Sequence, residues 1–82
     1  MEAKLLKLLR LNTMREATGL SRATIYSRIQ AGLLPKPIKH GERISVWPSN
    51  EVEAVTKATI AGKSSEEIKA LVAELEQRRA HA

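Results

Sequence analysis

The stretch TGLSRATIYSRIQAG, from Thr18 to Gly32, combines a tight turn with a short amphipathic segment. Gly19 can adopt the positive φ that ends a preceding helix abruptly. Ser21 is a favourable N-cap, because its hydroxyl can accept a hydrogen bond from a backbone N–H of the first helical turn. Gly32 has the residue type that commonly stops a helix. The pattern predicts two helices joined by a tight turn, with the second helix at Ser21–Ala31.

The two faces of this second helix differ in character. Ile25 and Ile29 lie four residues apart, so they share one face and are expected to pack inward. The other face is small, polar and partly basic, and it is formed or flanked by Arg22, Ala23, Thr24, Tyr26, Ser27 and Gln30. The major groove of DNA admits a helix of this kind. This stretch alone leaves open an ordinary helical hairpin with a solvated face.

Charge is unevenly distributed along the 82 residues. Residues 1–48 carry nine Lys and Arg residues against three Glu, a net charge of +6. Residues 49–82 carry five against six, a net charge of −1. Because the basic charge is confined to the half that contains the helix-turn-helix pattern, it indicates a polyanionic partner.

Several classes of function are disfavoured by the sequence. The absence of cysteine excludes disulfides and Cys-based zinc sites, and His40 has no second ligand at metal spacing. No Gly-rich phosphate loop or acid–base pair is visible, so we expect no enzyme activity and no cofactor. No apolar run has membrane-spanning length and no signal-peptide pattern is present. We therefore expect a cytoplasmic protein with no membrane partner.

The residues before the turn predict a short first helix. Thr13 and Glu16 have the spacing of a capping box, which places this helix at Met14–Thr18. The leucine-rich, basic lead-in from Met1 to Leu11 is either an amphipathic helical turn or an extended arm that covers the core.

The residues after Gly32 predict a two-stranded hairpin. Pro35 and Pro37 keep the chain extended. Strand-forming residues flank a His-Gly-Glu turn at residues 40–42, and they are Ile38, Ile44, Val46 and Trp47. Trp47 is expected to fill the core rather than to stack on a base. The basic side chains of the hairpin and its approach are Lys36, Lys39, His40 and Arg43.

Two further helices are predicted in the second half. Pro48, Ser49 and Asn50 are expected to cap a third helix at about Glu51–Ile60. The inner stripe of that helix is expected to be Val52, Val55, Thr56 and Thr59.

Ser64 and Glu67 form a second capping box, before a final helix at about Ser65–Arg79. Its apolar stripe is Ile68, Leu71, Val72 and Leu75. This stripe either packs on the core or contacts a second protomer on DNA.

These elements predict a mostly α fold with a small β-hairpin, a winged helix-turn-helix with an additional C-terminal amphipathic helix. The DNA-binding domain is expected at residues 1–62. Residues 63–82 form the last helix, which packs on the core or mediates oligomerisation.

The run from Leu8 to Val55 resembles the AlpA-like regulators of prophages and integrative elements, a branch of the excisionase and MerR-type winged-helix group. The matching text is LLRL, TGLSRATIY with the following Gly32, the PKPIK…G…R segment, VW, and the helix start at Glu51-Val52. At two positions the chain departs from the family: Ser27 stands where a basic residue is common, and Val55 where Trp is common.

The resemblance implies a sequence-specific DNA-binding protein of a bacterial cell or phage-infected host, associated with the nucleoid. It would act as a transcriptional regulator or as a recombination directionality factor (excisionase). Carried over by position, the residues linked to DNA contact or wing structure are Arg22, Thr24, Tyr26 and Arg43.

We expect two sets of DNA contacts. The candidates for base edges are Arg22, Ser27, Arg28 and Gln30, and the candidates for phosphates are Lys36, Lys39 and Arg43. One alternative is the DNA-recognition domain of a phage terminase small subunit. An alternative of another class is a protein-interaction module that docks through its C-terminal helix. Besides double-stranded DNA, the expected partners are a second copy of the chain and an integrase or a terminase large subunit.

Overall fold

The chain folds into four helices and a small antiparallel sheet. The computed structural model describes residues 6–81, and the side chains of residues 6–80. The elements in chain order are β1 (Leu8–Leu9), α1 (Leu11–Thr18), α2 (Arg22–Gln30), β2 (Ile38–Lys39), β3 (Ser45–Pro48), α3 (Ser49–Ile60) and α4 (Ser65–Arg78), followed by a 3₁₀ turn at Arg79–His81. The mostly helical fold with a small hairpin is therefore confirmed. Residues 1–5 of the basic lead-in and residue 82 lie outside the described residues.

The helix-turn-helix has the predicted turn chemistry. Gly19 has a φ of +71° and donates its N–H to the carbonyl of Arg15 at 2.9 Å. The hydroxyl of Ser21 accepts the N–H of Thr24 at 3.2 Å, which caps α2. At the other end of α2, Gly32 has a φ of +81° and donates to the carbonyl of Ile29. All three local predictions are confirmed.

The hairpin is also confirmed, and it gains a third strand. β2 and β3 are antiparallel, with Ile38 opposite Val46 and Lys39 opposite Ser45. The N–H of His40 donates to the carbonyl of Ile44 at 2.8 Å, which closes the turn. β1 pairs with the other edge of β3, so the strand order is β1-β3-β2. For residues 8 and 9, the extended-arm alternative for the lead-in is thus correct and the helical one is wrong.

Helix α1 begins earlier than predicted. The expected capping box at Thr13 and Glu16 is wrong, because the helix already starts at Leu11, with Arg10 as an N-cap that makes no side-chain hydrogen bond. Leu11 packs against the core and Met14 is fully buried. Starting the helix directly after β1 buries these two side chains on one face, and that gain outweighs a surface cap.

Helix α3 also begins earlier than predicted. Its first residue is Ser49, and Pro48 is an N-cap without a side-chain hydrogen bond. The Ser49 hydroxyl accepts the N–H of Lys7 at 2.9 Å, and the Ser49 N–H donates to the Lys7 carbonyl at 2.8 Å. Ser49 thus holds the start of the sheet instead of capping a later helix. The inner stripe is correct for Val52 and Val55, which are buried, but Thr59 is exposed.

The core is assembled around Trp47. The indole is fully buried, and its Nε1–H donates to the carbonyl of Pro35 at 3.0 Å. This confirms the expectation that Trp47 fills the core. The buried residues of the same cluster are Met14, Ile25, Leu34, Val52, Val55, Val72 and Leu75.

Helix α4 packs on this core with its apolar stripe. Val72 and Leu75 are buried, and Ile68 and Leu71 are half-buried against the same cluster. The capping box at Ser64 and Glu67 is confirmed, and its hydrogen bonds lower the pKa of the Glu67 carboxyl. Self-association stays a prediction, but the stripe that suggested it packs within the chain's own core.

In the part of the chain that the structure describes, no helix is long and apolar enough to cross a membrane.

Because Leu75 is buried in the core, Leu75→Ala should lower the free energy of unfolding by about 2–5 kcal/mol. Leu6 is 71% exposed and serves as a matched control. The same truncation there, Leu6→Ala, should change the free energy of unfolding by about 0.5 kcal/mol or less. Urea denaturation followed by circular dichroism measures both. Equal effects would contradict the assignment of α4 to the core.

Candidate nucleic-acid interface

Helix α2 presents a continuous polar face to solvent. With roughly 100° per residue, Ser27 lies opposite the buried Ile25, and Ala23 and Gln30 lie beside Ser27. These three residues are exposed, as is Arg22 at the start of the helix. The structure therefore places two of the four predicted base-edge residues, Ser27 and Gln30, on one exposed face. Arg22 lies about 140° around the helix axis from Ser27, at the exposed N-terminal end of α2.

Thr24 and Arg28 are placed differently from that face. Thr24 is half-buried, and its hydroxyl oxygen accepts a hydrogen bond from the Ser21 hydroxyl at 3.0 Å, within the helix cap. Arg28 is exposed on the flank of α2 and lines a cavity of about 440 Å³ with residues of α1, α3 and α4, among them Ala17 and Ile68. The DNA contacts predicted for Thr24 and Arg28 stay predictions, and neither side chain lies at the centre of the polar face.

Tyr26 connects the polar face to the core. Its ring meets Trp47 edge to face, with ring centroids 6.4 Å apart and an interplanar angle of 60°. The side chain is nevertheless 36% exposed. Tyr26 lies on the flank of α2 away from Arg28, so its ring packs while the residue still reaches the surface.

The hairpin forms a second accessible basic surface. Lys36, Lys39, His40 and Arg43 are all exposed, as predicted for a hairpin that reaches a polyanion. Among the described residues, no salt bridge involves a basic side chain between positions 7 and 43. The charges on α2 and the hairpin are thus free of intramolecular carboxylate partners in this part of the chain.

The basic residues of the second half, in contrast, mostly form salt bridges with nearby carboxylates. Four of the five Lys and Arg residues after position 48 lie in salt bridges, which are Lys57–Glu53, Lys69–Glu66, Arg78–Glu74 and Arg79–Glu51. Internal pairing neutralises these cations. Among the described residues, the positive charge without a salt bridge therefore lies mainly in the first half of the chain, which contains the helix-turn-helix and the hairpin.

Sequence reasoning missed a cluster that holds the approach to the hairpin, which we call the Lys36 clamp: Glu51, Glu76 and Arg79 around the Lys36 peptide. Arg79 donates from Nε and Nη2 to the two carboxylate oxygens of Glu51, at 2.9 and 2.6 Å. Arg79 Nη2 also donates to the Lys36 carbonyl at 2.7 Å, and the Lys36 N–H donates to Glu76 Oε2 at 2.8 Å. The hydrogen bonds to Glu51 raise the pKa of Arg79.

No sequence signal identified these partners. Glu51 and Arg79 are separated by 28 residues, and Lys36 and Arg79 by 43. The sequence indicated Arg79 only as the last residue of the predicted final helix. A carboxylate at Glu51 also looks like an ordinary first-turn residue, although its side chain is buried.

An exposed polar helix after a tight turn, followed by a basic hairpin on a three-stranded sheet, defines a winged helix-turn-helix type of protein. The model of the family described as "Prophage CP4-57 regulatory protein (AlpA)" matches residues 7–57. The chain belongs to this AlpA family of phage-associated regulatory proteins. Comparison with curated proteins gave no match, and comparison with solved structures gave none either.

Tyr26→Phe separates the packing of the ring from the chemistry of the hydroxyl. If the hydroxyl contacts a phosphate, its loss should weaken cognate and random duplexes alike, by about two- to tenfold. The ring contact with Trp47 is kept, so the melting temperature should hardly change. Fluorescence anisotropy and a thermal melt measure the two properties. Unchanged DNA affinity would show that Tyr26 acts through packing alone.

Proposed function

We propose that the protein is a sequence-specific double-stranded DNA-binding regulator that acts by binding rather than by catalysis. The observation that carries this proposal is the segregation of charge. The basic side chains of α2 and the hairpin are exposed and make no salt bridge to a described residue, whereas those of the second half are mostly paired. Such a surface matches the phosphate backbone of a duplex.

The geometry supports a division of roles between the two basic surfaces. α2 enters the major groove, where Arg22, Ser27 and Gln30 face base edges. The hairpin lies against the neighbouring backbone or minor groove, where its exposed lysines and Arg43 meet phosphates. Phosphate contacts fix the register of the protein, and base contacts give the sequence preference.

Membership of a phage regulatory family favours a regulatory role over a role in DNA packaging. The protein acts as a transcriptional regulator or as a recombination directionality factor, and in the second role its protein partner is an integrase. A DNA-recognition domain of a terminase small subunit, with a terminase large subunit as partner, has no observation in its favour. A protein-interaction module that docks through the stripe of α4 is disfavoured, because Val72 and Leu75 are buried in the chain's own core.

DNA affinity should be dominated by the release of counterions from the duplex. About four to six phosphate contacts give a log–log slope of affinity against salt of roughly −4 to −5 per protomer. Fluorescence anisotropy titrations between low and physiological salt measure this slope. A DNA affinity that does not change with salt concentration would contradict the proposed function.

Arg22→Ala and Lys39→Ala should weaken DNA binding in different ways. If Arg22 contacts a base edge, its loss should reduce discrimination at one base pair by about 1–3 kcal/mol. If Lys39 contacts only phosphate, its loss should weaken all duplexes alike and reduce the salt slope by about one. Binding to the cognate site, to single-base variants and to random DNA distinguishes the two. The same loss of discrimination from both substitutions would refute this division of roles.

A further inference from the structure

The hairpin begins at a segment whose backbone has little freedom. Pro35 and Pro37 fix φ at two of three consecutive positions, and each disfavours the helical conformation in the residue before it. Ile38, the first residue of β2, follows immediately. The direction in which the hairpin leaves the core is therefore set largely by the Lys36 peptide between the two prolines.

Both polar groups of Lys36's backbone are held by the end of the last helix. Its N–H donates to Glu76 at 2.8 Å, and its carbonyl accepts from Arg79 at 2.7 Å. On the other side of the segment, the Pro35 carbonyl accepts the indole N–H of Trp47. The approach to the hairpin is thus fixed to β3 at one residue and to the last helical turn at the next.

Arg79 is itself held in a defined orientation. Glu51 is 3% exposed and binds the guanidinium through both carboxylate oxygens. Charge-assisted pairs of this bidentate kind fix geometry as well as adding energy. A buried carboxylate without its cation would cost free energy, so the ion pair with Glu51 strongly favours the observed position of Arg79.

We propose that Glu76 and Arg79 are positioning residues for DNA binding. Through the Lys36 clamp they fix the hairpin relative to α2, so that the basic side chains of the hairpin meet phosphates while α2 occupies the major groove. Both residues lie beyond the stretch matched by the family model, which ends at residue 57. This proposal rests on the proposed function and assigns to the end of α4 a role in that function besides covering the core.

Glu76→Ala and Glu76→Gln form a matched pair that tests the clamp. Both remove one negative charge, which by long-range electrostatics alone should strengthen binding to DNA. Glutamine keeps a carbonyl oxygen that can accept the Lys36 N–H, whereas alanine does not. We expect Glu76→Gln to bind at least as tightly as the original chain. Glu76→Ala should bind about three- to tenfold more weakly than Glu76→Gln.

Two further measurements distinguish positioning from a general loss of stability. The salt slope of Glu76→Ala should be shallower by about one to two, because misdirected hairpin cations release fewer counterions. Hydrogen exchange of the Lys36 amide, followed by NMR in the absence of DNA, should accelerate in Glu76→Ala and stay protected in Glu76→Gln. A variant that is merely less stable would have a smaller folded, DNA-binding fraction, but the salt slope of its binding would be unchanged.

Glu74→Ala is the control for charge on the same helix. Glu74 pairs with Arg78 and lies outside the clamp. Its removal makes the same change in net charge, so binding should be unchanged or tighter, with the Lys36 amide still protected. If Glu76→Ala fails to fold, Arg79→Lys replaces it, because a single ammonium cannot reproduce the planar fork that joins Glu51 to the Lys36 carbonyl.

Equal affinities and equal salt slopes for Glu76→Ala and Glu76→Gln would overturn the clamp proposal while leaving the proposed function intact. A salt-independent or absent interaction of the original chain with duplex DNA would remove the proposed function, and the clamp proposal with it. Weaker binding and a shallower slope in Glu76→Ala alone would support the assignment.

Discussion

The burial of Trp47 is the interaction on which most of this small fold depends. It sits in β3, the central strand, opposite Leu9 of β1, and its indole N–H bonds to Pro35. Tyr26 of α2 packs edge-on against the same ring. The chain has no phenylalanine and no other tryptophan, and its one tyrosine is the residue that packs on this indole. Core tryptophans contribute about 3–5 kcal/mol, a large fraction of the net stability of a domain.

This arrangement couples the two surfaces proposed to contact DNA. α2 reaches the indole through Tyr26, and the hairpin reaches it through β3 and Pro35. α2 and the hairpin share a rigid support, although their exposed polar faces make no hydrogen bond to each other among the described side chains. Pre-organised contact groups lose less conformational entropy on binding, so a shared support favours affinity as well as register.

The sequence predicted those features that depend on neighbouring residues. Gly19, Ser21 and Gly32 determine their own turn and caps through local backbone chemistry, and the structure has all three. The Thr13–Glu16 pattern is equally local, yet it failed, since a cap worth about 1 kcal/mol competes with the burial of whole apolar side chains.

Features that depend on distant residues could not be predicted. A strand of two residues has no periodicity of its own, and β1 exists because β3 offers an unpaired edge. The partner of Arg79 is set by the fold rather than by spacing along a helix. For the candidate site, sequence patterns gave the exposed polar face and the basic hairpin, but the flank position of Arg28 and the Lys36 clamp required the packed structure.

The position of α4 limits how two copies could meet on DNA. Val55 is buried in the cluster that also contains Val72 and Leu75 of α4. The last helix thus supplies apolar volume to a core whose third helix carries a small side chain at that position. Pulling α4 away to join a second protomer would expose this cluster and leave the Glu51 carboxylate without its cation. Removing one partner of a buried ion pair costs about 3–5 kcal/mol, so any contact between protomers through α4 is expected to leave this helix on its own core.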